Sequence, residues 1–198
     1  MGRSRALLRR YWVPLLLLVV GLFCALNGGY IHAKAVVGQW LIERAWQQSL
    51  ATGKPSKPWS WADTWPVGQL QIPALGVDQV ILAGDSGQAL AFGPGHNPQS
   101  ASPGGPGVVI ISGHRDTHFR FLAALEPGDT ILLAGSGGQQ RYRMVDEQVV
   151  DTRNGQLFLN NVANDQLILV TCWPLGGIQQ NTPWRYLVFA EPLIEEVT

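Results

Sequence analysis

Charge is scarce in this chain. Asp, Glu, Lys and Arg make up 14% of its 198 residues, against roughly 25% in an average soluble protein. The formal net charge is zero, and no long basic stretch is interleaved with aromatics, so nucleic-acid binding finds no support. Cysteine is scarcer still, with only Cys24 and Cys172, which leaves room for at most one disulfide. No G-x-S-x-G is present, which argues against a serine hydrolase built on that elbow. The glycines of SPGGPG lack a following Lys-Ser/Thr, so they read as a turn and not as a phosphate loop. No cofactor motif, internal repeat or low-complexity tract occurs, and no cofactor is expected.

Part of the charge deficit has one source. From Tyr11 to Ala33 there is no Asp, Glu, Lys or Arg. About 20 apolar residues span a bilayer at 1.5 Å per residue. Arg3, Arg5, Arg9 and Arg10 precede the segment, and Lys34 alone follows closely. This predicts a cytoplasmic N-terminus over 1–10, a transmembrane signal anchor over 11–33, and an exported remainder on the periplasmic or extracytoplasmic side of the inner (cytoplasmic) membrane. A cleaved signal peptide would carry a shorter apolar core, roughly 7–15 residues, before a small-x-small site. Ala33 and Ala35 offer only a weak match to such a site, and the length favours an anchor. Pro14 falls near the start of the span, where its missing N–H costs little.

That topology bears on the cysteines. Cys24 lies in the bilayer and Cys172 in the exported domain, so the two should not pair. A lone thiol in an oxidising compartment is a candidate reactive group, although a buried, inert cysteine has the same composition.

Residues 34–66 hold a helix, in which Val36, Val37, Trp40, Leu41 and Ala45 recur at spacings of three and four. A connector rich in Pro and Trp follows, and its rings Trp59, Trp61 and Trp65 are expected to pack on the domain. From Val67 the pattern turns to short apolar runs bounded by turn residues: GQLQIPAL, DQVILAG, GVVIISGH, DTILLAG, QQRYRMVDEQVV, QLILVTC and WRYLVFA. SGQALAFGPG, FRFLAALEPGD and NGQLFLNNVAND are given short helical turns or loops. Six to eight strands with few helices predict a closed or nearly closed β-barrel over 67–198.

Three polar residues sit at strand ends. His114 ends VVIISGH, Cys172 ends QLILVTC, and Arg185 opens RYLVFA. A thiolate attacks a carbonyl, an imidazolium protonates a leaving amine, and a guanidinium stabilises an oxyanion. Each has a plainer role to weigh. His114 could bond a backbone carbonyl, Cys172 could be inert, and Arg185 could pair with Asp116, Asp151 or Asp165. His96, in GPGH, reads as a loop histidine with a structural hydrogen bond that could also border the groove. Asp146, Glu147, Asp151 and Asp165 could hold a cation or simply face solvent.

GPGHNP, ISGHRDTHFRFL, LVTCWP and PWRYLVF, in that order, resemble the sortase family. PWSWADTWPVGQL, AFGPGH and GHRDTHF look most like the Gram-negative sortases, close to class D. The resemblance implies an eight-stranded sortase-type barrel with short helices behind an N-terminal transmembrane helix. It also implies a triad of His114, Cys172 and Arg185, without a metal. Thr171, Asp116, Trp173 and His96 fall at supporting or substrate-binding positions. The implied reaction is transpeptidation of a C-terminal Leu-Pro-x-Thr-Gly-like sorting signal through a thioester on Cys172. Its implied partners are an exported or membrane-anchored protein bearing that signal, an amine acceptor and the membrane. Two alternatives stand beside it. One is a zinc hydrolase using His114 and His118, spaced i and i+4 but lacking the Glu of H-E-x-x-H. The other is a non-catalytic envelope-binding barrel. An L,D-type transpeptidase would need a histidine close before the cysteine, and LILVTC has none.

Overall fold

The computed structural model describes residues 2–154, 165–177 and 182–193. It resolves into two compact units, Met1–Trp40 and Leu41–Thr198.

The first unit is helical. Helix α1 runs over Gly2–Thr52. Among the described residues it is the one helix long and apolar enough to cross a membrane. Leu15, Leu17, Leu18, Phe23 and Leu26 are all exposed on it. The helix starts earlier than the apolar segment, because the preceding residues are good helix formers with no breaker among them. Pro14 is therefore inside the helix and removes one interior backbone hydrogen bond, contrary to the expectation that it opens the helix.

The second unit begins with the last turns of α1, which Gly53 closes at φ 66° while its N–H bonds Ser49 O at 2.9 Å. Eight strands follow: β1 (Pro66–Ile72), β2 (Val77–Ala83), β3 (Gly95–His96), β4 (Val108–Ser112), β5 (Thr130–Gly135), β6 (Gly138–Asp151), β7 (Gln166–Cys172) and β8 (Trp184–Pro192). A short helix α2 (Gly87–Phe92) lies between β2 and β3. The order β1-β2-β3-β4-β7-β8-β6-β5 closes on itself through β1–β5 pairing. The eight-stranded closed barrel expected from the sequence is present. DTILLAG and QQRYRMVDEQVV pair antiparallel as β5 and β6, and the expected turn in FRFLAAL is a 3-10 turn over Arg120–Ala124. The expected loop NGQLFLNNVAND lies almost wholly outside the described residues.

Alternation sorts the strand side chains. Leu70, Ile72, Ile81, Val109, Ile111, Leu133, Tyr142, Leu167, Leu169 and Val188 fill the interior with essentially no exposure. Burying an aliphatic side chain of this size contributes about 1.5–3 kcal/mol each. The run VVIIS is buried on its inner face and half-buried on its outer one. Val109 and Ile111 point inward, while Val108 and Ile110 pack outside on Ile168, Leu187 and Phe189. A third cluster joins Ile42 of α1 to Leu82 and Ala89, with Trp59 edge-on to Phe92 at 5.0 Å. The tryptophan expectation holds for Trp59 and fails for Trp61, which is 82% exposed. The connector's turn spends its inward positions on Trp59 and on buried Ala62, leaving Trp61 outside.

Candidate functional site

Topology assembles the site. β4 and β7 are parallel, with Ser112 beside Val170, so both strands end at the same rim of the barrel. β8 is antiparallel to β7 and begins at that rim, where Arg185 stands directly opposite Cys172. The β4–β7 ladder runs one residue further, through Gly113 N–H to Val170 O at 3.0 Å. His114 follows immediately. Sequence reasoning found these three strand ends but had no means of making them meet. The parallel crossover between β4 and β7 does so.

Alternation also fixes the face. Thr171 and Tyr186 share the inward set with Leu169 and Val188. Cys172 and Arg185 have the opposite parity, shared by Val170 and Leu187 of the outer cluster. Directly opposed residues of an antiparallel pair project to the same side, so the Cys172 and Arg185 side chains both leave the outer face of the barrel wall. Cys172 is half-buried and His114 exposed.

Each group has a local anchor. The His114 carbonyl accepts N–H bonds from Thr117 (3.3 Å) and Phe119 (3.0 Å), closing a tight turn after the strand. The fully buried Phe119 ring lies under Gly113. A Cβ there would sit 2.6 Å from the ring's Cγ, so only glycine fits ahead of the histidine. Thr171 Oγ1, buried inside, donates to Gly113 O at 2.7 Å and ties β7 to the residue before His114. Arg185 Nη1 donates to Thr182 O (2.7 Å) and Trp184 O (3.0 Å). The carboxylates weighed as ion-pair partners are engaged elsewhere. Asp116 binds Arg115, Asp151 binds Arg153, and Asp165 accepts Gly107 N–H.

The supporting residues divide. The Trp173 N–H bonds Trp184 O at 3.1 Å, and its ring stacks on Tyr186 at 5.6 Å between centroids. The Tyr186 hydroxyl donates to Glu147. Burial and then that carboxylate push the Tyr186 phenol well above its ordinary value. Asp116 sits in the turn after His114 and is held below the usual carboxylate range, chiefly by hydrogen bonds from Arg115. His96 is not in a loop. It belongs to β3, opposite Ile111 of β4, because its backbone completes the ladder between β2 and β4. Its buried ring Nε2 lies 2.8 Å from Ala101 O and 3.1 Å from Ser100 Oγ, the structural hydrogen bond expected of it.

Two alternatives gain nothing from the geometry. Residues 115–117 between the two histidines form turns, not a helix. Among the described residues no group of three His, Cys, Asp or Glu converges as a ligand set. The four acidic residues considered for a cation have separate partners, with Asp146 bonded by Gln148 at 3.2 Å. One residue that sequence reasoning missed borders the site. Arg115 is only 7% exposed, and its Nη1 donates to Pro174 O at 2.8 Å. Arg115, Asp116, Arg120, Leu175 and Gly176 line a cavity of about 400 Å³ beside the loop after Cys172. The sequence signal was the adjacent Arg-Asp pair; the distant Pro174 was invisible.

Comparison with known proteins bears on the family and the fold. The sortase domain family matches residues 70–193. Sortase D of Bacillus subtilis (strain 168) is 34% identical over 124 residues, 63% of this chain and 62% of that protein. The match thus spans less than two thirds of that relative's length. Among solved structures, Group B Streptococcus Pilus Island 1 Sortase C2 is similar with a TM-score of 0.56 and 28% identity, over 65% of this chain and 74% of that one. Sortase C-1 from Actinomyces oris superimposes with a TM-score of 0.53 and 27% identity, over 66% and 74%. With the closed barrel and the matched domain together, the chain belongs to the sortase family.

Proposed function

We propose that this protein is a membrane-anchored cysteine transpeptidase acting on a C-terminal Leu-Pro-x-Thr-Gly-like sorting signal. The observation that carries the reading is the opposition of Cys172 and Arg185 across β7 and β8, at the rim where β4 delivers His114. Cys172 Sγ attacks the carbonyl carbon of the Thr–Gly bond, and Arg185 donates hydrogen bonds to the oxyanion. His114 gives its proton to the departing glycine amine, the C–N bond breaks, and a thioester remains. An acceptor amine then attacks the thioester, His114 takes the amine proton, and the C–S bond breaks to release the Cys172 thiolate. Water in place of the amine gives hydrolysis. No cofactor is needed for either half. The arginines before α1's apolar stretch support a cytoplasmic N-terminus, with the barrel outside the inner membrane.

The test is mass spectrometry of the full chain in detergent after incubation with a sorting-signal peptide. An acyl adduct on Cys172 is expected, discharged by an added amine. An enzyme that cleaves the peptide without passing through such an adduct would remove the reading.

Arg185 carries a graded prediction. Lys keeps the charge but loses the planar, forked donor geometry. Losing one oxyanion donor typically costs about 2.7–4 kcal/mol in the transition state. Arg185→Lys should lower peptide cleavage by roughly a hundredfold or more in a protein that melts normally. A rate near wild type would reassign Arg185 to holding the strand end through Thr182 and Trp184.

A further inference from the structure

We infer that Arg115 is a positioning residue that braces the loop after Cys172 against the turn after His114. This rests on the transpeptidase reading above. The β4–β7 backbone ladder stops at the bond between Gly113 and Val170. Beyond it, side chains do the tying. Thr171 Oγ1 to Gly113 O, at 2.7 Å, crosses one residue before each of Cys172 and His114. Arg115 Nη1 to Pro174 O, at 2.8 Å, crosses just after them. The two reacting side chains therefore lie between two braces.

The Arg115 brace is rigid for a chemical reason. Its Nε and Nη2 grip the two carboxylate oxygens of Asp116 at 2.8 and 3.0 Å, which fixes the guanidinium plane. A fork held on one side presents its remaining donor in a defined direction. The Pro174 carbonyl also accepts Gly177 N–H at 3.3 Å, so one oxygen gathers the turn that follows the nucleophile. Hydrogen bonding to Asp116 raises Arg115 above its ordinary value against the effect of burial, and the Asp116 charge adds to the rise. Arg115 is almost fully buried, while the Asp116 side chain is 67% exposed.

The experiment uses the full chain in detergent and two readouts: peptide-cleavage kinetics, and backbone amide exchange of residues 173–177. Arg115→Lys keeps a cation without the fork; Arg115→Gln removes both. Displacing a reacting group by about 1 Å can cost a hundredfold. Both variants are expected to lose kcat on about that scale with KM unchanged, and to exchange the 173–177 amides faster. If Arg115→Gln fails to fold, Asp116→Asn tests the same fork from its exposed side and should show both changes at smaller size. A variant that keeps wild-type kcat overturns the brace. So does one that loses kcat while the loop's exchange stays the same. If the wild-type chain forms no adduct at all, the transpeptidase reading falls instead, and amide exchange alone still decides whether Arg115 braces the loop.

Discussion

Cys172→Ala is expected to form no acyl adduct and to cleave no sorting peptide, while Cys24→Ala cleaves at the wild-type rate. Both thiols are free, so neither substitution breaks a disulfide. They differ in what surrounds them. Cys24 lies exposed on the apolar stretch of α1. Cys172 ends β7 opposite Arg185 and is half-buried at the rim that His114 also reaches. Removing the nucleophile of a catalytic triad typically lowers turnover about a millionfold, because no neighbouring group can form the covalent intermediate. The substitution removes one sulfur from a half-buried position, so folding should survive. A thiol reagent should reproduce the loss in the wild type and in Cys24→Ala. Cleavage at full rate by Cys172→Ala would end the cysteine mechanism, and the barrel would have to be read as a binding module.

Much of the fold was legible because the strands are short, apolar and separated by strong breakers. QLILVTC and WRYLVFA could hardly be anything else, and the closed barrel takes in every strand among the described residues. The two-residue strand β3 escaped notice because Gly95 and His96 have no periodicity to read. Their strand character comes entirely from β2 and β4 on either side. The start of α1 was misplaced for a different reason. Hydropathy marks where a membrane would begin, whereas helix propensity decides where the helix begins, and the arginine-rich residues satisfy only the second. Trp61 shows the limit of composition. Three aromatic rings in a connector predict packing in general, but the turn geometry decides which ring faces outward.

The site was legible as a set of strand ends and not as an arrangement. Nothing in the spacing of positions 114, 172 and 185 says that they are neighbours. That follows from β4 and β7 running parallel and β8 running back. The alternation argument then places Cys172 and Arg185 on one face, which a one-residue register slip would have destroyed. Thr171 was visible as a supporting residue but its partner was not. Its hydroxyl serves the Gly113 carbonyl across the crossover. Asp116 was noted as a possible partner of Arg185 and instead holds its own neighbour, Arg115. Adjacent residues in a tight turn can meet side chain to side chain, and that local geometry won over the long-range pairing.

The histidines offer the sharpest remaining contrast. His114→Ala is expected to lose essentially all transpeptidation, at least about ten-thousandfold, whereas His118→Gln should keep most of it. His114 directly follows the β4 ladder, its carbonyl is fixed by Thr117 and Phe119, and its side chain is exposed at the rim. His118 sits within the following turn, half-buried, with its carbonyl taken by Gln79. Burial, and then the proximity of charge on His114, hold the His118 imidazole below its ordinary value, against a bond to the Ala91 backbone. A group kept neutral in this way is a poor donor to a leaving amine. The same shift has a signature in stability. Because the folded state disfavours the protonated ring, the contribution of His118 is complete above the unfolded value of about 6.5 and is lost as pH falls below it. His118→Gln should therefore flatten the fall in melting temperature between about pH 7 and pH 5 while leaving cleavage largely intact. His114→Ala should do the reverse, with activity gone and the acid limb of the stability curve kept except for the smaller part that charge on His114 contributes. The assay is peptide cleavage with an added amine, on variants first checked for folding. An active His114→Ala beside a dead His118→Gln would transfer the acid–base role to His118. Loss in both variants, joined by inactivation of the wild type with a chelator, would favour a metal shared between the two rings.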